Sequence, residues 1–212
     1  MIVDIGQIAL VTTVIVAIYV ILASFLGASK RIPVLIASGR YGFYTIPSLL
    51  LISTIALIYS FATNDFSVRY VAENSNLAMP QEYTWVALYA GNAGSLLFLV
   101  LVFSILAALA VLTMRKKLPY TTPYATGIMT LMIVFLLGII VWMANPLERL
   151  PLTPLDGQGI NPLLLHFGMF IHPPMQMTGL VVVAIPFSIA MGALLSGRAG
   201  QDEWVDLGRL WG

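Results

Sequence analysis

Residues 95–117 read SLLFLVLVFSILAALAVLTMRKK. The first twenty carry no charged side chain, and twenty helical residues rise about 30 Å, the thickness of the hydrocarbon core of a bilayer. In that medium the backbone has no water to bond to. A helix, which satisfies its own N–H and C=O groups, is therefore the conformation this stretch can adopt. Arg115, Lys116 and Lys117 stop the run at a membrane surface.

Residues 5–27, 41–62, 123–144 and 175–197 form four more uncharged apolar stretches of sufficient length. Only 9% of the 212 residues are charged, against roughly 25% in soluble domains. The expected fold is an all-α integral membrane protein, with about five transmembrane helices in one membrane domain over residues 1–212. A net charge of +1 and the absence of any long basic run exclude a nucleic-acid partner. With no cysteine, the chain forms no disulfide, holds no thiolate-bound metal and carries no covalently attached haem. None of the five stretches contains Asp, Glu, Lys or Arg, which weighs against an ion-coupled transporter.

Orientation follows from the basic residues, because positively charged connections stay cytoplasmic. Lys30, Arg31, Arg40, Arg115, Lys116, Lys117, Arg198 and Arg209 fall on one side of a five-span topology, and Arg69 and Arg149 on the other. The first span follows Asp4 and precedes Lys30 and Arg31, the reverse of a cleaved signal peptide. The N-terminus and the segments 63–94 and 145–174 are therefore expected outside, on the periplasmic face of an inner (plasma) membrane.

Segment 145–174 contains Pro146, Pro151, Pro154, Pro162, Pro173 and Pro174, which forbid a long helix there. Asp156-Gly157 adds a turn signal, so a stiff structured loop is expected. It ends in NPLLLHFGMFIHPPMQMTGL, residues 161–180, which holds both histidines. Proline suits the first turn of a helix and pushes the residue before it towards extended geometry. The last span is therefore expected to start near Pro173 with His172 just outside it. That helix end would attract carboxylates, and Phe167, Met169, Phe170 and Met175 could cover a flat apolar ring. Taken alone, His172 suits a haem ligand or, more commonly for a histidine at a membrane boundary, a side chain hydrogen-bonded within its loop. His166, six positions earlier, shares no helix face with it. No spacing of Ser, His and Asp assembles a nucleophilic triad.

Segment 64–98 reads NDFSVRYVAENSNLAMPQEYTWVALYAGNAGSLLF. Alternation at Phe66, Val68 and Tyr70 predicts a short extended piece, and residues 74–76 a turn. Tyr83, Trp85 and Tyr89 suit an interfacial aromatic belt, and residues 91–95 a glycine-rich break before the next span.

Three of these motifs, NDFSVRYVAENSN (64–76), LYAGNAGSLLF (88–98) and NPLERLPLTPLDGQGINPLLLHFGMFIHPP (145–174), resemble the N-terminal part of the CcmF family, the haem lyase component of c-type cytochrome maturation. The resemblance implies that His172 is an axial ligand of the haem iron, with Phe170, Pro173 and Pro174 forming the pattern around it. It implies b-type haem, bound non-covalently in transit, and thioether formation between haem vinyls and apocytochrome cysteines. The implied partners are the remaining haem lyase region or subunits, a periplasmic haem chaperone, apocytochrome c and the lipid bilayer.

Two departures stand out. The family usually has His-Glu where this chain has Asn92-Ala93, so the 91–95 turn is expected to be structural. The family also continues with a tryptophan-rich haem platform and further histidines, so the chain is expected to be the N-terminal portion of a longer or split lyase, inactive alone. A scaffold subunit without haem contact, or a haem transporter, are the competing readings.

Overall fold

Residues 1–212 are described by a computed structural model. Its elements are helical throughout, and the only β pairing is one isolated antiparallel bridge, Val68 to Arg149. Helix α1 (Ile2–Ser29) and helix α2 (Pro33–Ala62) form a long hairpin. Helix α5 (Asn92–Lys117), helix α6 (Thr122–Trp142) and a broken last span complete five helices long and apolar enough to cross a membrane.

α2 begins eight residues before the apolar stretch expected at Tyr41. Pro33 opens it, Ile32 before the proline is extended at φ −95° and ψ 101°, and Arg31 takes the left-handed region at φ 55°. The connection from α1 is thus three residues, and Arg40 lies within a helix. α6 likewise carries a proline, Pro123, in its first turn. The last span divides into α7 (His172–Val182) and α8 (Ala184–Leu195) at Val183. Pro186 explains the break, because it has no N–H to offer the Val182 carbonyl and its ring crowds that group. Beyond it, the amphipathic α9 (Glu203–Trp211), which no apolar run announced, sets Leu207 and both of its tryptophans against the bundle.

α1 packs on α2 and α6, α5 on α2 and α6, and α8 on α6. Small residues let the backbones approach, as membrane helices require when lipid is as apolar as the side chains. A Cβ on Gly6 would lie 2.5 Å from that of Ala56, and Ser53 Oγ donates to the Gly6 carbonyl at 2.9 Å. Outward, Ile8, Ile15 and Leu22 of α1 and Phe135 of α6 are exposed, which suits acyl chains and would be a liability in water.

The extended piece expected around Phe66 shrinks to the bridge at Val68, and Arg69–Asn74 folds as helix α3. A single bridge provides no ladder to extend, whereas turning helical buries Tyr70, Val71 and Ala72 on one side. A further short helix, α4 (Thr84–Leu88), lies on α2.

Candidate functional site

The N-terminus and segments 63–94 and 145–171 meet at one end of the bundle. There Arg69 N–H donates to the Glu148 carbonyl and Leu150 N–H to that of Ser67, both at 2.8 Å. Gln158 N–H reaches the Ala72 carbonyl at 2.7 Å and Gly159 N–H that of Ser75 at 3.1 Å. Asp156 Oδ1 accepts from Leu77 N–H at 2.9 Å and from Gly157 N–H at 2.7 Å. At Gly157 a Cβ would meet the Ser75 carbonyl oxygen at 2.0 Å, so no side chain fits the seam. The Arg69–Glu148 pair at 2.9 Å and the Arg149–Asp4 pair at 3.0 Å join the two segments to each other and to α1.

Beneath the seam, Tyr70 is 5% exposed. Its hydroxyl accepts from Gly91 N–H at 2.9 Å and lies 3.1 Å from the Gly91 carbonyl, to which it can donate. Burial pushes its phenol up to about 12. The ring also fills the space a side chain at residue 94 would need, since a Cβ there would lie 2.6 Å from the hydroxyl and 1.9 Å from the Leu88 carbonyl oxygen. The break expected over residues 91–95 is confined to Gly91, because α5 already starts at Asn92, and Gly91 and Gly94 are where this helix start packs on Tyr70. Asn92, the first residue of α5, is exposed and makes no cap bond.

Phe167–Phe170 forms a 3-10 turn leading into α7. Phe170 is half-buried, its ring 5.4 Å from that of Tyr83 and 6.1 Å from that of Phe167. Phe167 itself is 71% exposed. Tyr89 donates to the Met169 carbonyl at 2.9 Å, and burial raises its phenol pKa. Tyr83 and Tyr89, expected in an aromatic belt, both contact the 167–170 turn. Only the fold brings them there, eighty residues being the separation of Tyr89 from Met169.

The two histidines differ. His166 Nδ1 accepts from Gly168 N–H at 3.0 Å, capping the 3-10 turn. In the neutral ring that leaves the proton on Nε2, which has no partner within the chain. His172 is exposed, with no intramolecular hydrogen bond on its ring. It is the first residue of α7, one position further into the helix than expected, because Met175 N–H already reaches the Ile171 carbonyl at 3.1 Å. The half-buried Pro173 and Pro174 follow. Neither has an N–H, so the helix end expected to draw carboxylates is short of donors.

His172 thus presents an exposed imidazole that makes no hydrogen bond within the chain. No group of three or more His, Cys, Asp or Glu side chains gathers anywhere that could hold a bare ion.

A family model described as cytochrome C assembly protein matches residues 85–207. Along its whole length the chain is 32% identical to the cytochrome c-type biogenesis protein CcmF of Haemophilus influenzae, of which it covers 33%. It is 33% identical to CcmF of Pseudomonas fluorescens, with 98% of this chain and 32% of that protein aligned. The chain spans about a third of the length of these curated relatives. Its fold is that of a solved cytochrome c heme lyase CcmF, with a TM-score of 0.85 at 23% identity over 100% of this chain and 33% of the other. This multi-pass chain belongs to the cytochrome c assembly protein family and corresponds to the N-terminal part of CcmF.

Proposed function

We propose that this chain is the N-terminal part of a cytochrome c haem lyase of the inner membrane, with its capped end in the periplasm and His172 an axial ligand of the haem being delivered. Haem is the substrate, b-type and non-covalently held, received from a periplasmic haem chaperone. Apocytochrome c is the acceptor, each cysteine S–H adding across a vinyl C=C so that sulfur and hydrogen end on its two carbons and nothing is oxidised. His172 orients the porphyrin, Phe170 and Phe167 lie against its apolar face, and Pro173 and Pro174 fix the imidazole at the helix mouth. Such positioning brings each vinyl to its thiol, a gain from orientation and not from acid–base catalysis. The remaining lyase region supplies the second axial ligand.

The observation that carries this reading is the contrast between the histidines: His166 Nδ1 accepts a backbone hydrogen bond in a turn, whereas the His172 ring makes none. With the remaining lyase region coexpressed, His172→Ala should abolish haem retention in the purified complex, and His166→Ala should leave most of it. Full retention by an intact His172→Ala complex would leave the scaffold reading in its place. For orientation, a membrane-impermeant maleimide should label Asp156→Cys in intact cells and spare Lys116→Cys; the reverse pattern would put His172 in the wrong compartment.

A further inference from the structure

The end of the bundle opposite His172 holds a cavity of about 870 Å³, bounded by the α1–α2 connection, the last turn of α5, the first turns of α6 and the chain just after α8. Arg31, Arg40, Arg115 and Arg198 are among its walls, which contain no acidic residue. The side-chain ion pairs of this protein join other residues, Arg69 to Glu148, Arg149 to Asp4 and Arg209 to Asp206, so none of the four arginines has a carboxylate within 4.0 Å. Four like charges around one space repel each other, and the interior of such a cavity is strongly positive.

Part of this charge has a local explanation. Arg31, Arg115 and Arg198 lie at or just beyond the C-terminal ends of α1, α5 and α8, where cations complement the helix dipole. That account does not reach Arg40, the eighth residue of α2. Its Nε is buried and has no hydrogen-bond partner in the chain, a cost that a native protein normally removes by supplying an acceptor. Tyr44, one turn further along α2, buries a hydroxyl in the same unpartnered state. Arg198 is stacked over the ring of Tyr120 at 4.1 Å and donates from Nη1 to Gln201 Oε1 at 3.3 Å, which orders the guanidinium and leaves its other N–H groups for an acceptor. Arg31 is held in the cavity wall by a left-handed backbone that arginine rarely adopts.

We propose that this cavity binds a phosphate-bearing anion, its oxygens accepting from Arg40 and its neighbours in the forked geometry that guanidinium offers and ammonium does not. Basic cavities between membrane helices at the headgroup level are the places where anionic phospholipids dock, and free phosphate has the same chemistry. The inference is independent of the haem reading, which concerns the other end of the molecule.

The full-length protein in a neutral detergent tests it by thermal unfolding, with phosphatidylglycerol, phosphatidylcholine or inorganic phosphate added, the last against chloride at matched ionic strength. Phosphatidylglycerol should raise the midpoint by roughly 5 °C at saturation and phosphatidylcholine should not. A rise with phosphatidylglycerol alone identifies a lipid headgroup; an equal rise with phosphate identifies the free anion. The double variant R40Q/R115Q should lose the rise. K116Q/K117Q, two charges removed outside the cavity wall, should keep it, which separates a site from general surface charge. Arg40→Lys, keeping the charge without the fork, covers the case in which the double variant does not fold, and should retain only part of the rise. No rise with either anion, an undiminished rise in R40Q/R115Q or R40K, or an equal loss in the lysine pair would overturn the proposal.

Discussion

At the end of the bundle that carries the N-terminus, Arg69 and Arg149 each face a carboxylate, at 2.9 and 3.0 Å. At the opposite end Arg31, Arg40, Arg115 and Arg198 surround one cavity and face none. The first end is built by long segments bonded backbone to backbone across about eighty residues of sequence, as Arg69 to Glu148. The second is built by tight connections, three residues between α1 and α2 and four between α5 and α6. Exposed ion pairs such as Arg69–Glu148 add little stability of their own; they set the register of a cap that backbone bonds and buried side chains hold. A rigid cap keeps one histidine in place and another free. The unpaired arginines at the opposite end leave room for something else to complete them.

The sharpest way to break this contrast is to wedge the cap open. Gly157→Ala puts a methyl 2.0 Å from the Ser75 carbonyl oxygen, a backbone atom that yields only if the seam moves. It should destabilise by roughly 3 kcal/mol or more. Gly208→Ala, in α9 with nothing within 4 Å of the added carbon, should stabilise by about 0.5–1 kcal/mol through helix propensity. Thermal unfolding of the two variants compares them directly; equal behaviour would show that the seam is not what holds the cap.

Tyr70 gives the next largest effect, and it depends on pH. Its folded-state value, about 12, lies above the roughly 10 of an unfolded phenol. The buried neutral form thus contributes stability that is fully present below pH 10 and is lost as pH rises towards 12. Two units correspond to about 3 kcal/mol. Tyr70→Phe should remove this alkaline loss, while costing roughly 1–3 kcal/mol at neutral pH because Gly91 N–H is left without an acceptor. Denaturant titrations at several pH values check both signs. An alkaline transition of the same size in the phenylalanine variant would assign it to another group.

Asn92→Ala should do least. The side chain is exposed at the first position of α5 and makes no cap bond, so the change should stay within about 0.5 kcal/mol, with haem retention by the assembled complex unaltered. A large loss of stability would mean that Asn92, and not the glycines beside it, holds the start of α5. A loss of haem at normal stability would give Asn92 a direct part at the site.

The five spans were legible because each is determined locally. An uncharged run of about twenty residues in hydrocarbon has to satisfy its own backbone, and no distant contact can change that. The helix starts at Pro123 and near Pro173 were likewise readable from neighbouring residues, apart from a shift of one position at His172, whereas the start of α2 at Pro33 and the different hydrogen bonding of His166 and His172 were not. Tertiary structure decided the rest. Phe66, Val68 and Tyr70 alternate as a strand would, yet with one bridge and no ladder the chain from Arg69 turned helical to bury Tyr70. The support of Phe170 by Tyr83, the seam at Gly157 and the gathering of four arginines depend on contacts between distant segments. Such contacts leave no periodic trace, because the free energy that selects them arises only once the helices are already side by side.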